Sequence, residues 1–157
     1  MPPVSRLSPG LCGIAGEYFV AAELSRRGYV ASITLRNTRG IDILASDADA
    51  KRSVGIQVKT TQGSAKAWVL NKKAEQDIAE NLFYVFVNLN HGKPPEYHVV
   101  PRQDVSNFVR EGHAAWLKTP GRAGRAHVDT PMRKFSDRAE KYRDRWDLLG
   151  LDPVAPA

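Results

Sequence analysis

The segment "LFYVFVNL", residues 82–89, is apolar on both parities and interrupted only by Asn88. Successive side chains of a strand point to opposite faces, so such a run reads as a strand covered on both sides. The rest of the chain must then supply cover for two faces of a sheet. At 157 residues and 42% hydrophobic, it is long enough for one compact domain with a sizeable core and too short to expect two. Residues 1–157 are therefore read as a single domain.

The neighbouring elements follow from periodicity and punctuation. Residues 13–28, GIAGEYFVAAELSRRG, read as a helix ended by Gly28. Strand candidates follow at 29–35, 40–46 and 53–60, then a polar helix candidate, NKKAEQDIAEN (71–81). EYHVVP (96–101) is a further short strand. Pro101 suits the opening of a helix over about 102–117, with Val105, Phe108, Val109 and Trp116 as its buried stripe. KTPGRAGRAHVDTP (118–131) reads as a basic loop. Beyond it, Phe135, Ala139, Tyr142, Trp146 and Leu149 recur at spacings of four and three, the face of an amphipathic C-terminal helix. The order is that of an α/β domain, with its core over about 13–117 and the basic loop and helix over 118–150.

Residues 41–46 and 53–58 suit an antiparallel hairpin closed symmetrically about 47–52. Ser46 then faces Ser53, Leu44 faces Gly55, Asp42 faces Gln57, and Gly40 faces Lys59. Ile41, Ile43, Ala45, Val54, Ile56 and Val58 share a uniformly apolar face, while the other carries Asp42, Gln57 and Lys59. Opposed residues have Cβ atoms about 4.5–5.5 Å apart, so the acid and the amide converge. A half-solvated hairpin would show the same polar face. Glu17 lies on a helical stripe with Ala21, Leu24 and Gly28 that should face the sheet. There a carboxylate needs a hydrogen bond, a proton, a cation or a metal, although a first-turn acid complementing the helix dipole is the simpler account.

A helix acid, a strand Asp and a Gln-x-Lys one strand later resemble the PD-(D/E)XK nuclease superfamily. The residues are Glu17 in GEYFVAAEL, Asp42 in GIDI, and Gln57 and Lys59 in IQVKT, over about residues 13–90. NLFYVFVNLN and EYHVVP look like the later strands of small stand-alone bacterial members. The resemblance implies a restriction endonuclease-like fold: a helix, then a central mixed sheet (αβββαβ core), with an added C-terminal strand and helices. It also implies a Mg²⁺ or Mn²⁺ cofactor held by Asp42, the Val58 carbonyl and the Gln57 amide oxygen, with Glu17 in a supporting role or on a second metal. Lys59 would orient the attacking water or offset charge growing on the phosphate. Mg²⁺ takes oxygen ligands and is usually held by one or two carboxylates, which suits this set. Many relatives carry an acid where this chain has Gln57; Gln stands there in the branch of modification-dependent restriction enzymes that it is similar to.

Composition narrows the partner and the compartment. The formal net charge is +6, and Lys118 to Arg145 is a basic stretch in which Arg122, Arg125, Arg133 and Lys134 are candidates for contacts to a nucleic-acid backbone. A single cysteine, Cys12, excludes an internal disulfide framework, and no run approaches membrane-spanning length, so a cytoplasmic protein without a membrane partner is expected. The four histidines have no metal-ligand spacing, and no glycine-rich phosphate loop has the required strand-loop-helix setting. The expected function is metal-dependent hydrolysis of DNA phosphodiester bonds. The alternatives are a nucleic-acid-binding module of the same fold that no longer turns over, and a protein-interaction domain whose C-terminal helix serves a partner or a homodimer.

Overall fold

The computed structural model describes residues 5–35, 40–76 and 79–152. Ser8 caps the first helix, α1 (Pro9–Arg26), its hydroxyl accepting the Leu11 N–H at 3.3 Å, and Pro9 takes a first-turn position where a missing N–H costs nothing. The helix thus starts at Pro9 rather than Gly13, because the capping triplet Ser8-Pro9-Gly10 carries no apolar residue for periodicity to register. It ends as expected. Gly28 takes φ +86°, and the Tyr29 N–H returns to the Leu24 carbonyl at 3.1 Å.

Among the described residues seven strands follow: β1 (Val30–Ile33), β2 (Ile43–Ser46), β3 (Ser53–Thr61), β4 (Ala67–Asn71), β5 (Leu82–Asn88), β6 (Glu96–Pro101) and β7 (Met132–Ser136), with helix α2 (Arg102–Lys118) between the last two. The central sheet has the order β1-β2-β3-β5-β6, antiparallel throughout except for the parallel pair β3 and β5. Strands β4 and β7 form a separate antiparallel pair.

One face of the central sheet packs Ile43, Ile56, Val58, Val85 and Val99 against Val20 and Leu24 of α1 and against Trp146 and Leu149. The other packs Tyr84, Phe86 and Val100 against Trp68 and Leu70 of β4, Phe135 of β7, and Val105 and Val109 of α2. Strand β5, the run apolar on both parities, is covered on both sides as its pattern requires. Phe86 and Phe135 stack at 4.5 Å between ring centroids, and the Trp68 indole N–H donates to the Val87 carbonyl at 3.1 Å, tying the small sheet to the large one.

Among the described residues two expected helices are replaced by other structure. A parallel pair needs a long crossover, usually helical, and the polar stretch 71–81 was the candidate. Among the described residues it supplies one 3-10 turn, Lys72–Glu75; Asp77 and Ile78 lie outside them. The Asn71 side chain caps that turn on the Lys73 N–H at 2.9 Å, and Gln76 is already extended. The crossover instead contains β4, which pairs with β7.

The expected C-terminal helix is also replaced, by β7, a looped segment and a 3-10 turn at Trp146–Leu149. Buried Asp137 decides this. Its carboxylate accepts the N–H groups of Lys141 and Tyr142, each at 2.9 Å, and meets His98 Nδ1 at 2.7 Å, while Glu140 and Asp144 take φ of 56° and 52°. The Tyr142 carbonyl and the Asp144 N–H then pair with β6, covering that sheet edge. The four-and-three spacing of aromatics is thus shared between two cores: Phe135 belongs to one, and Trp146 and Leu149 to the other.

Helix α1 lies close on β3. A Cβ at Gly16 would stand 2.9 Å from the Thr60 Cβ, so only glycine permits the approach that brings the adjacent Glu17 over the end of the sheet.

Candidate active site

Strands β2 and β3 pair in the symmetric register, Ser46 with Ser53, Leu44 with Gly55 and Ile43 with Ile56. One residue further the ladder breaks. The Asp42 carbonyl accepts the Thr34 N–H at 2.9 Å on the β1 side, whereas its N–H crosses to the Ile56 carbonyl at 2.8 Å on the β3 side. In a regular strand both groups of one residue point the same way, so the backbone twists at Asp42 and re-aims its side chain. Asp42 Oδ2 accepts the Val58 N–H at 2.7 Å. Because ladder N–H groups point between strands, the carboxylate sits in the gap where β2 and β3 part. The Val58 carbonyl leaves β3 on that same side.

Two hollows flank this gap. Glu17 and Asp42 line the first, beside the start of α1, together with Gly13, Ile14, Thr34 and Leu35. Gln57 and Lys59 alternate out on the opposite sheet face and line the second, with Tyr84, Arg102, Lys73 and Gly40. Ile41 borders both. The four residues expected to form one cluster are therefore placed as two pairs, an acidic pair and an amide–lysine pair, on either side of Ile41. Lys59 has no ion pair among the described residues.

Arg102 and Tyr84 were not singled out by sequence reasoning. The Arg102 guanidinium lies over the Tyr84 ring at 5.4 Å, and Gln57 of β3 is registered directly beside Tyr84 of β5. Burial pushes the Tyr84 phenol above its ordinary pKa, the Arg102 charge opposes the rise, and the Asp42 carboxylate adds to it. Tyr84 thus stays a neutral phenol at working pH. The sequence signal that could have drawn attention to Arg102 is a cation on the first residue of a helix, where the dipole disfavours it.

Of the basic residues expected to meet a nucleic-acid backbone, Arg122, Arg125 and Lys134 are exposed. Arg133 departs from that expectation. It is buried, ion-paired to Glu75, and donates to the Thr130 and Met132 carbonyls, so its charge is consumed in joining β7 to the 3-10 turn at Lys72–Glu75. Arg143 and Arg145 are likewise engaged, with Glu96 and Asp147.

The first hollow offers hard oxygen donors, the Asp42 and Glu17 carboxylates, with the Val58 carbonyl directed toward the same gap. Their chemistry fits a magnesium-type ion. Among the described residues no three or more His, Cys, Asp or Glu side chains gather into a metal cluster, so a third ligand would come from the backbone or an amide. Also among the described residues, no helix is long and apolar enough to cross a membrane.

No protein-family model matches the chain, and no curated protein matches it. Solved structures do. The chain superposes on Hjc, a Holliday junction resolvase from the archaeal hyperthermophile Archaeoglobus fulgidus, with a TM-score of 0.53 and 15% identity, over 89% of this chain and 97% of that one. The fold is restriction endonuclease-like. A bacterial homing endonuclease superposes with a TM-score of 0.52 and 15% identity, over 92% of each chain. In this restriction endonuclease-like sheet, the twist at Asp42 and the Gln57–Lys59 pair stand together at one end of the central β2–β3 pair.

Proposed function

We propose that the chain is a metal-dependent nuclease acting on DNA. The observation that carries this reading is the side-by-side placement of an acidic hollow and a cationic groove: Glu17 and Asp42 on one side of Ile41, Lys59, Lys73 and Arg102 on the other. Phosphodiester hydrolysis asks for both. Oxygen anions hold a divalent cation, and fixed cations offset the charge that grows on the phosphate as water attacks in line and the opposite P–O bond breaks.

Asp42, Glu17 and the Val58 carbonyl would hold the ion, which would supply Lewis acidity toward the phosphate oxygen and its bound water. The Val58 N–H fixes the Asp42 carboxylate in orientation. Lys59 projects from β3 two residues after Gln57 and would direct its ammonium at the attacking water or the phosphate. Gln57 lies in the groove with the cations and would donate its amide N–H groups to phosphate oxygen. The two superposed structures are a junction resolvase and a homing endonuclease, which makes branched and duplex DNA the substrates to try first.

The test is incubation with supercoiled plasmid and with a four-way junction, in Mg²⁺, in Mn²⁺ and in EDTA. Cutting in either metal and none in EDTA is expected. No cutting of any substrate would remove catalysis and favour the second reading, a binding module. That reading draws on the side of the sheet that Gln57 faces: the amide lines the cationic groove with Lys59 and Arg102 rather than the hollow of Asp42 and Glu17.

Arg122 and Arg125, exposed in the 118–131 loop, would add backbone contacts away from the cutting site. Neutralising both should make the slope of log affinity against log salt shallower by about 2 for duplex DNA, since each phosphate contact accounts for about 0.9. An unchanged slope in a fluorescence-anisotropy titration would assign the pair to solubility.

A further inference from the structure

Arg102 is the first residue of α2 and is only 8% exposed. Its Nε is buried and has no hydrogen-bond partner, and among the described residues no carboxylate lies within ion-pair distance of its guanidinium. Arginine stays charged in proteins, so this cation is desolvated without a counter-ion. The Tyr84 ring gives partial compensation. Stability does not account for the placement, because a cation on the first turn opposes the dipole of α2, and Pro101 caps that helix without a side-chain acceptor. The guanidinium borders a groove of about 600 Å³ that Lys59 and Lys73 also line, and no Asp or Glu lines it among the described residues.

Gly40 shapes the approach. It takes φ +66°, and the position its Cβ would occupy lies 3.7 Å from Arg102 Nη1 and 4.0 Å from Gln57 Oε1. Both lie at van der Waals distance from that point, and the left-handed backbone there is what favours glycine. An oxyanion drawn to the Arg102 N–H groups beside this point would be met by Gln57 with the N–H end of its amide turned toward it, since the amide oxygen only accepts.

We infer that Arg102, with Lys59 and Gln57, forms a phosphodiester-binding subsite that seats one backbone phosphate of the nucleic acid beside the Asp42 gap. The guanidinium presents its N–H donors to the phosphate oxygens, the geometry arginine matches best. Lys73 lines the same groove and extends the positive field toward its mouth. This inference rests on the nucleic-acid reading above but not on turnover, since the seat fills whether or not the bond is cut.

The experiment separates the two. Binding of a fluorescent duplex to the full chain is measured in EDTA, where no cutting takes place, for wild type, Arg102→Lys and Arg102→Met. Methionine keeps the apolar stem against Tyr84 and removes the charge. Arg102→Met should bind roughly 10- to 100-fold more weakly, with a salt slope shallower by about 0.9, and Arg102→Lys should keep the slope while recovering only part of the affinity. In case Arg102→Met does not fold, the Nε–H resonance of Arg102 is followed in ¹⁵N-labelled wild type. It should shift on adding the duplex and shift less, at far higher concentration, on adding inorganic phosphate. Equal binding by wild type and Arg102→Met, or an Nε–H signal that responds to neither, would overturn the subsite. Response to inorganic phosphate but not to duplex would overturn its assignment to a nucleic-acid backbone. Absence of cutting in Mg²⁺ with these results intact would instead remove only the nuclease reading.

Discussion

Asp42→Asn should reduce metal-dependent cutting of plasmid by at least about 10²- to 10³-fold, the range found when one electrostatic contributor to a charged transition state is lost. The substitution is nearly isosteric, and the asparagine amide oxygen can still accept the Val58 N–H that Asp42 Oδ2 accepts at 2.7 Å. The twist that aims the side chain is set by backbone bonds, Thr34 N–H to the Asp42 carbonyl and Asp42 N–H to the Ile56 carbonyl, and neither depends on its charge. Geometry and fold should therefore persist while the anion is lost. Two measurements check this: a cleavage time course, and isothermal titration with Mn²⁺, in which the variant should bind far more weakly. Duplex affinity in EDTA should hold or rise, because one negative charge beside the cationic groove has gone. Unchanged cutting by Asp42→Asn would remove this residue from the chemistry.

The parts of the fold that alternation controls were legible in the sequence. The symmetric β2–β3 register follows from matching apolar faces, since a one-residue slip would turn Ile43, Ile56 and Val58 away from α1. The two-sided burial of β5 follows from its unbroken apolar run. Residues 132–149 were not legible, because Phe135, Tyr142, Trp146 and Leu149 mimic a helical face while serving two cores, and because one buried carboxylate, Asp137, organises the loop between them. Strand β4 was missed because its partner, β7, lies more than sixty residues away in the chain. At the candidate site, periodicity assigned Asp42 to the face of Gln57. It could not see the peptide twist that brings the carboxylate into the gap beside Glu17, nor the arrival of Arg102 from an element that contacts this sheet face only in three dimensions.

That twist changes what a carboxylate at position 57 should do. If Asp42 and Gln57 faced each other squarely, Gln57→Glu would set two acids in opposition and destabilise the metal-free protein. Instead, Gln57 Oε1 and Arg102 Nη1 approach the same point beside Gly40 from 4.0 and 3.7 Å. A new carboxylate there would meet a buried cation with no counter-ion among the described residues. Pairing should stabilise the protein by about 1 kcal/mol after the cost of desolvating the acid, raising Tm in EDTA by roughly 2–4 °C for a chain of this length. The sign with pH follows. The Arg102 charge lowers the folded-state pKa of the new acid, so the gain is present above the ordinary glutamate value of about 4.3 and is lost as pH falls through the lowered one. The same pairing fills the phosphate seat, so duplex binding in EDTA should weaken by roughly tenfold or more and its salt slope should become shallower by about 0.9. Melting curves of Gln57→Glu at pH 7 and pH 3, with and without Mg²⁺, check the stability arm, and anisotropy checks the binding arm. A variant that melts below wild type in EDTA and recovers in Mg²⁺ would mean that residue 57 addresses the Asp42 carboxylate and a shared metal, and would withdraw Gln57 from the phosphate seat.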